Sequence, residues 1–244
     1  MSRRVLVTGS ARGIGRAIAL RLAANGWQVA IHGRTASDAL TATAVELGSS
    51  LSGVYTQELE DDAENLWPIA LADGEIHALV NNAGVYQPLD FLTGDDAAFR
   101  ANVRVQIRTN FMAPLMLTRA AARHFAAAGG GKILNVASRV GFRGEPSASL
   151  YAASKAALIN LTRSLAVELA PKNIGVFGIA PGWVDTAMAR DGMDDRLTEI
   201  LKTLPLGRMA SPEDCAATSA FLLSDGAAYL SGVTIDINGA SYFH

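Results

Sequence analysis

Arg4-Val5-Leu6-Val7-Thr8-Gly9-Ser10-Ala11-Arg12-Gly13-Ile14-Gly15 runs from an apolar stretch through a glycine-rich turn into a helical pattern. Arg4 to Thr8 reads as a strand. Ile14, Ile18 and Leu22 then recur at helical spacing as a buried stripe, and Asn25-Gly26 ends the helix. Glycines permit positive φ and let backbone amides approach a pyrophosphate, whose charge would sit at the helix N-terminus. The spacing is Gly-x-x-x-Gly-x-Gly rather than Gly-x-Gly-x-x-Gly, so the plain dinucleotide fingerprint is not matched. A tight strand-to-helix turn without a ligand is the alternative.

The same unit repeats along the chain. Further strands are expected at Gln28 to His32, Gly53 to Gln57, Ile76 to Asn81, Lys132 to Ala137, Gly175 to Ala180 and Thr234 to Ile237, with helical stretches between them. Several are near-continuous apolar runs, as strands covered on both faces require. The pattern predicts an α/β fold: a Rossmann-type, doubly wound parallel sheet of about seven strands with helices on both faces. No linker, repeat or low-complexity tract interrupts it, so residues 1–244 read as a single domain.

Composition narrows the function. Half of the 244 residues are hydrophobic and 18% are charged, as in a globular protein with a well-covered sheet. A net charge of -2 argues against nucleic acid as a partner. No apolar run is long enough to cross a bilayer, and no signal peptide is recognisable, so a cytoplasmic enzyme is expected. The single cysteine, Cys215, excludes an internal disulfide and a cysteine-cluster metal site, and it reads as buried. No metal is expected.

Candidate site residues fall at the ends of the expected strands, where ligands bind in such sheets. His32-Gly33-Arg34 ends the second strand with no acid to hold ribose hydroxyls. Arg34 and Arg12, two guanidiniums with no carboxylate, suit a 2′-phosphate, which favours NADP(H) over NAD(H); solvated surface charges are the alternative. His32 reads as a strand-end histidine without special role. Asn81-Asn82-Ala83-Gly84 ends the fourth strand and would line the crevice, or only make a turn. Pro114 lies four residues after Asn110, so the Asn110 carbonyl loses its usual helical donor; a kink there would leave it able to hold a water. Ser138 ends the fifth strand, and a long helix follows with Tyr151 and Lys155 one turn apart and an apolar face of Leu158, Leu161, Leu165 and Leu169. An ammonium beside a phenol lowers the phenol's pKa from about 10, which would make an acid/base. Ala180-Pro181-Gly182-Trp183-Val184-Asp185-Thr186 follows the sixth strand. The stretch 187–206 reads as a mobile helical lid carrying Met188, Met193, Leu197 and Leu201, with a plain surface excursion as the alternative.

Thr8-Gly9, Gly13-Ile14-Gly15, Asn81-Asn82-Ala83-Gly84, Asn110, Ser138, Tyr151-x-x-x-Lys155 and Pro181-Gly182 occur here in an order that resembles the short-chain dehydrogenase/reductase family over essentially the full length. Pro205-Leu206-Gly207-Arg208, Ser211-Pro212-Glu213-Asp214 and Leu230-Ser231-Gly232 continue the likeness, and the subgroup resembled is that of the 3-oxoacyl-carrier-protein reductases. The resemblance implies that Tyr151 is the proton donor in reduction, that Lys155 lowers its pKa and holds the nicotinamide ribose, that Ser138 polarises the substrate carbonyl, and that Asn110 holds a water through its backbone. It implies that Gly9, Ser10, Arg12, Gly13, Ile14 and Gly15 contact the pyrophosphate or adenosine end. Glu58 and Leu59 would lie beside the adenine, Asn82, Ala83 and Gly84 beside the ribose, and Pro181, Gly182, Val184 and Thr186 along the nicotinamide. The chain departs from the family at Glu58-Leu59, at Phe177, at Gly239-Ala240 and in a segment between Phe99 and Asn110 that looks a few residues longer.

The expected reaction is hydride transfer from a nicotinamide to a carbonyl carbon. Its substrate would be a 3-oxoacyl thioester, carried by coenzyme A or a carrier protein, or a related small ketone. The alternatives are an NAD(P)-dependent alcohol, polyol or steroid dehydrogenase and, in another class, a dinucleotide-binding sensor without turnover. Tyr86, Arg139, Phe142, Arg143, Trp183 and Met188 would line the substrate pocket, with Arg139 and Arg143 suited to an acidic or phosphate-bearing substrate. Lys172, Arg119 and Arg123 would meet a carrier protein. The family's habit implies a homo-oligomer, dimer or tetramer.

Overall fold

The computed structural model describes residues 2–190 and 197–244. The strands are β1 (Arg4–Val7), β2 (Gln28–Gly33), β3 (Leu51–Thr56), β4 (Ala78–Asn81), β5 (Gly131–Val136), β6 (Ile174–Pro181) and β7 (Thr234–Ile237). The helices are α1 (Gly13–Ala24), α2 (Asp38–Leu47), α3 (Leu59–Ala72), α4 (Asp96–Ile107), α5 (Ala113–Ala128), α6 (Ser149–Leu169), α7 (Ala187–Arg190), α8 (Leu197–Lys202) and α9 (Pro212–Leu222). All seven strands join one parallel sheet in the order β3-β2-β1-β4-β5-β6-β7. The order reverses between β1 and β4, so a crevice opens at the carboxyl ends of those two strands.

The two-residue period of β1 shows why Val5-Leu6-Val7 is an unbroken apolar run. Val5 and Val7 join α1, α2 and α9 on one face, while Leu6 joins α3, α5 and α6 on the other. Ile18 and Leu22 of α1 are fully buried, each worth about 1.5–3 kcal/mol relative to exposure. Cys215 is buried among the same residues. Phe177, opposite Leu134 in the sheet, is also part of this core.

Two expectations are revised. On α6, Leu158 is buried and Leu165 and Leu169 pack half-buried against the core as expected, but the fully buried face is completed by Ser154, Lys155, Ile159, Thr162 and Ala166, and Leu161 is half-buried. The helix leading to Pro114 is not simply kinked. It passes through a π turn, Arg108–Met112, where the Ala113 amide reaches back to the Arg108 carbonyl. A π turn takes up an extra residue within a continuous helix.

Beneath the crevice lies a buried polar network. The Asn81 amide donates to Thr118 Oγ1 (3.0 Å) and to Asn135 Oδ1 (2.9 Å), and the Asn135 amide donates to Thr162 Oγ1 (2.9 Å). It ties β4 and β5 to α5 and α6. Among the described residues, no helix is long and apolar enough to cross a membrane.

Candidate active site

Close backbone packing at the switch point begins the site. Thr8 Oγ1 accepts from the amides of Asn82 and Ala83, both at 3.0 Å, and the Asn82 side chain donates to the carbonyls of Thr8 (2.9 Å) and Gly9 (3.0 Å). A Cβ on Gly15 would stand 2.3 Å from both Asn82 Nδ2 and the Gly9 carbonyl oxygen, so only glycine fits. Gly9 has a φ of +64°, and a Cβ there would meet the Ala83 backbone at 2.8 Å. Helix α1 then starts with no side-chain cap and no acid in its first turn. Its orphan amides and dipole are available to an anion.

Around this turn lies a cavity of about 1240 Å³, above the roughly 300–1,000 Å³ of a site for one small ligand. The volume suits a dinucleotide and a second molecule together. Gly9, Arg12, Gly13, Ile14 and Gly15 line it from the first turn, and Arg34, Glu58 and Leu59 from the ends of β2 and β3. Asn82, Ala83, Gly84 and Tyr86 line it after β4; Pro181, Gly182, Trp183, Val184, Thr186 and Met188 after β6. Ser138, Arg139, Tyr151 and Lys155 complete the wall.

Ser10 does not reach the cavity. Its hydroxyl is fully buried, donating to the Val7 carbonyl (3.0 Å) and accepting from the His32 amide (2.9 Å), so it ties β1 to β2. His32 has a role that its strand-end position did not reveal. Its Nε2 lies 2.9 Å from the Gln57 carbonyl, and its Nδ1 accepts from the Gly9 amide at 3.3 Å. The ring thus bridges the glycine turn and β3, and burial lowers its pKa. The expected absence of a carboxylate near Arg34 is also corrected: Glu58 Oε2 stands 3.8 Å from Arg34 Nε, both side chains being largely exposed.

Tyr151 and Lys155 face the cavity from the first turns of α6. Lys155 Nζ donates to the Val136 carbonyl (2.8 Å) and lies 5.6 Å from the centre of the Tyr151 ring. Burial pushes the phenol up to about 12 and the ammonium down to about 8. A hydrogen bond from Ser138 opposes the shift of the phenol, and Tyr86 adds to it. The expected lowering of the Tyr151 pKa by Lys155 is therefore absent here, because desolvation dominates both groups. The outcome is a phenol held protonated, with Ser138 within hydrogen-bonding reach. Tyr86 packs edge-on against Tyr151 with ring centres 5.2 Å apart.

Asn110 is fully buried behind this wall. Its side chain accepts from the Val85 amide (2.8 Å) and donates to the Val85 carbonyl (2.9 Å), fixing the segment after β4. A Cβ on Gly84 would lie 3.1 Å from Asn110 Oδ1 and 3.6 Å from Lys155 Nζ, so these groups converge on one glycine.

The substrate-side expectations fare less well. Arg139 lines the cavity, but its guanidinium is buried, 3.5 Å from Glu145 and 5.5 Å from the centre of the Trp183 ring. It presents a neutralised pair rather than a cation for an acidic substrate. Phe142 and Arg143 do not line the cavity; they turn to the segment after β7. Glu145, Val105 and Thr109 line the cavity without having been anticipated. Met188 of α7 lines it, and Ile200 of α8 does so while packing with Leu204, Met209 and Trp183. Of the expected lid, Asp191, Gly192, Met193, Asp194 and Asp195 lie outside the described residues. Lys172 sits just ahead of β6, at the opposite edge of the sheet, and Arg119 and Arg123 on α5 do not line the cavity.

Comparison with known proteins agrees with this architecture. The sequence profile of the family described as Enoyl-(Acyl carrier protein) reductase matches residues 9–240. The 3-oxoacyl-(acyl-carrier-protein) reductase of Escherichia coli is 36% identical over 97% of this chain and 96% of its own length. A 3-ketoacyl-(acyl-carrier-protein) reductase from Brucella melitensis, solved with NADH, superposes with a TM-score of 0.88 at 30% identity, covering 99% of this chain and 98% of that one. A Beutenbergia cavernae protein solved with NADP at low occupancy superposes at 0.90 with 35% identity, over 98% and 96% of the two chains. With the profile and these relatives matched over nearly the whole length, this chain belongs to the short-chain dehydrogenase/reductase family of oxidoreductases.

Proposed function

We propose that this protein is an NADP(H)-dependent reductase, built as one catalytic domain, that converts a carbonyl to a secondary alcohol, with a 3-oxoacyl thioester or related small ketone as substrate. One observation carries the reading: Tyr151, with Lys155 Nζ 5.6 Å from the centre of its ring, lines the same cavity as Ser138 and an uncapped helix N-terminus. The glycine turn, Arg12, Arg34 and the segments after β4 and β6 would hold the cofactor, which supplies the hydride when bound.

Tyr151 holds the proton that the reduced oxygen needs. Ser138, whose hydroxyl is already within reach of the phenol, orients the carbonyl oxygen toward it. Lys155 keeps positive charge beneath the ring, and its pKa of about 8 sets a limit on that charge. Below that value the ammonium is present; as pH rises through it, the charge is lost. The kcat/KM for reduction is therefore expected to fall on an alkaline limb near 8, well below the phenol's own titration. A limb only near 12 would reassign the titrating group.

The test is NADPH oxidation with a panel of ketones and 3-oxoacyl thioesters on coenzyme A and on a carrier protein. Turnover of the thioesters supports the reading. Activity confined to the reverse assay, in which NAD(P)+ is reduced by alcohols, polyols or hydroxysteroids, moves the protein to another branch of the family. Tight NADPH binding without turnover of any substrate favours a sensor. Light scattering on the same sample reads the dimer or tetramer expected of the assembly, and cell fractionation the cytoplasmic location.

A further inference from the structure

The residues after β7 fold back onto the loop that joins Ser138 to Tyr151. The reversal is made by Gly239 and Ala240, with φ of +61° and +62°. Alanine in the left-handed region is strained, so the conformation needs support from the chain's last four residues. That support reaches the substrate loop at three points. Arg139 Nη1 donates to Ser241 Oγ at 3.1 Å. Tyr242 donates its phenol proton to the Phe142 carbonyl at 3.2 Å, and the Arg143 guanidinium lies 5.7 Å from the centre of the Tyr242 ring. The His244 ring stacks on Phe142, with centres 3.7 Å apart and planes 9° from parallel.

The other side of the contact is anchored in the sheet. Asn238 donates to the Tyr242 carbonyl at 2.9 Å, and His244 Nδ1 is 3.1 Å from Asp236 Oδ2 of β7. On the loop side, a Cβ on Gly141 would meet Ile159 Cδ1 at 2.6 Å and the Lys155 carbonyl carbon at 2.9 Å, so the loop is pressed directly onto the helix of Tyr151 and Lys155. These contacts explain why Phe142 and Arg143 leave the cavity.

We propose that residues 238–244 are a clasp that sets the shape of the carbonyl-binding end of the cavity, and that Ser241, Tyr242 and His244 are positioning residues for the substrate loop. None of them lines the cavity. They act through Arg139 and Phe142 on the wall between Ser138 and Tyr151. The inference rests on the reductase reading for its kinetic test only.

The experiment compares His244→Ala, Tyr242→Phe and His244→Phe with the wild type. An aromatic stack or one hydrogen bond lost from a loop corresponds to a change of about two- to tenfold. His244→Ala and Tyr242→Phe are expected to raise KM for the carbonyl substrate by that factor, with NADPH affinity and melting temperature unchanged. His244→Phe, which keeps the stack, should restore KM. Trypsin cleavage after Arg143 should be faster in His244→Ala and normal in His244→Phe. Unchanged KM and cleavage in both damaging variants would overturn the clasp, as would parallel losses of NADPH affinity, melting temperature and KM. If the wild type reduces nothing in the panel, the reductase reading fails by itself, and the cleavage rates still decide the clasp.

Discussion

The two ends of the cavity are made differently. The cofactor end is backbone at close approach: Gly9 stands against the Ala83 backbone and Gly15 against the Gly9 carbonyl and the Asn82 side chain, with no room for a Cβ, and the side chains of Thr8 and Asn82 lock the turns together. The carbonyl end is side chain against side chain: Arg139 on Glu145 and Trp183, Phe142 on His244, Tyr86 on Tyr151. The first needs particular residues at fixed spacing. The second can be rebuilt with other residues so long as the loop is braced, which is how one fold serves several substrates.

That contrast breaks first at Gly15. A Cβ placed 2.3 Å from Asn82 Nδ2 and the Gly9 carbonyl must push the two turns apart. Overpacking of this kind typically costs about 1–3 kcal/mol, so Gly15→Ala is expected to weaken NADPH binding by about 10- to 100-fold, read by fluorescence titration. Retained affinity would show that the cofactor end is softer than described.

A smaller effect is expected at Arg34, whose exposed guanidinium is engaged only at 3.8 Å by Glu58. Arg34→Ala should reduce the preference for NADPH over NADH by about tenfold, the scale of one charge-assisted hydrogen bond, with NADH affinity unchanged. Equal losses for both cofactors would remove the 2′-phosphate role. Tight NADH and weak NADPH binding by the wild type would overturn the NADP reading altogether.

The smallest effect belongs to His32. Its folded pKa lies below the ordinary 6.5 because the ring is buried. Above 6.5 both folded and unfolded states are neutral there and the full stability is present. As pH falls through that value the unfolded chain takes up the proton first, and stability declines. Melting temperature should therefore drop on acidification more in the wild type than in His32→Gln. Identical slopes would show that burial does not hold the His32 pKa below its ordinary value.

The sequence made the cofactor end readable and left the carbonyl end partly hidden, and the residues show why. The central strands, buried on both faces, must be largely apolar and so were visible as runs, and the less buried edge strands β3 and β7 followed from the alternation of strand and helix patterns. Gly9, Gly13 and Gly15 were readable from their own spacing after a strand, although Ala83, Thr186 and Asn82, which they meet, are distant in sequence. His32 finds Gly9 across 23 positions, and nothing in a strand-end histidine distinguishes a bridging ring from an idle one. Pro114 correctly marked an irregular helix, but whether the chain answers with a kink or a π turn depends on the residue count of the whole segment. Phe142 and Arg143 sat in the right loop, yet a segment about 100 residues away turns them aside.

The central claim is that Tyr151 delivers the proton. Its most direct test is turnover by Tyr151→Phe with NADPH and the best carbonyl substrate of the panel, beside a titration of NADPH binding. General acid catalysis typically supplies about 10²–10⁴-fold. The account predicts a loss of that size with NADPH affinity unchanged. Turnover within a few-fold of the wild type would contradict it.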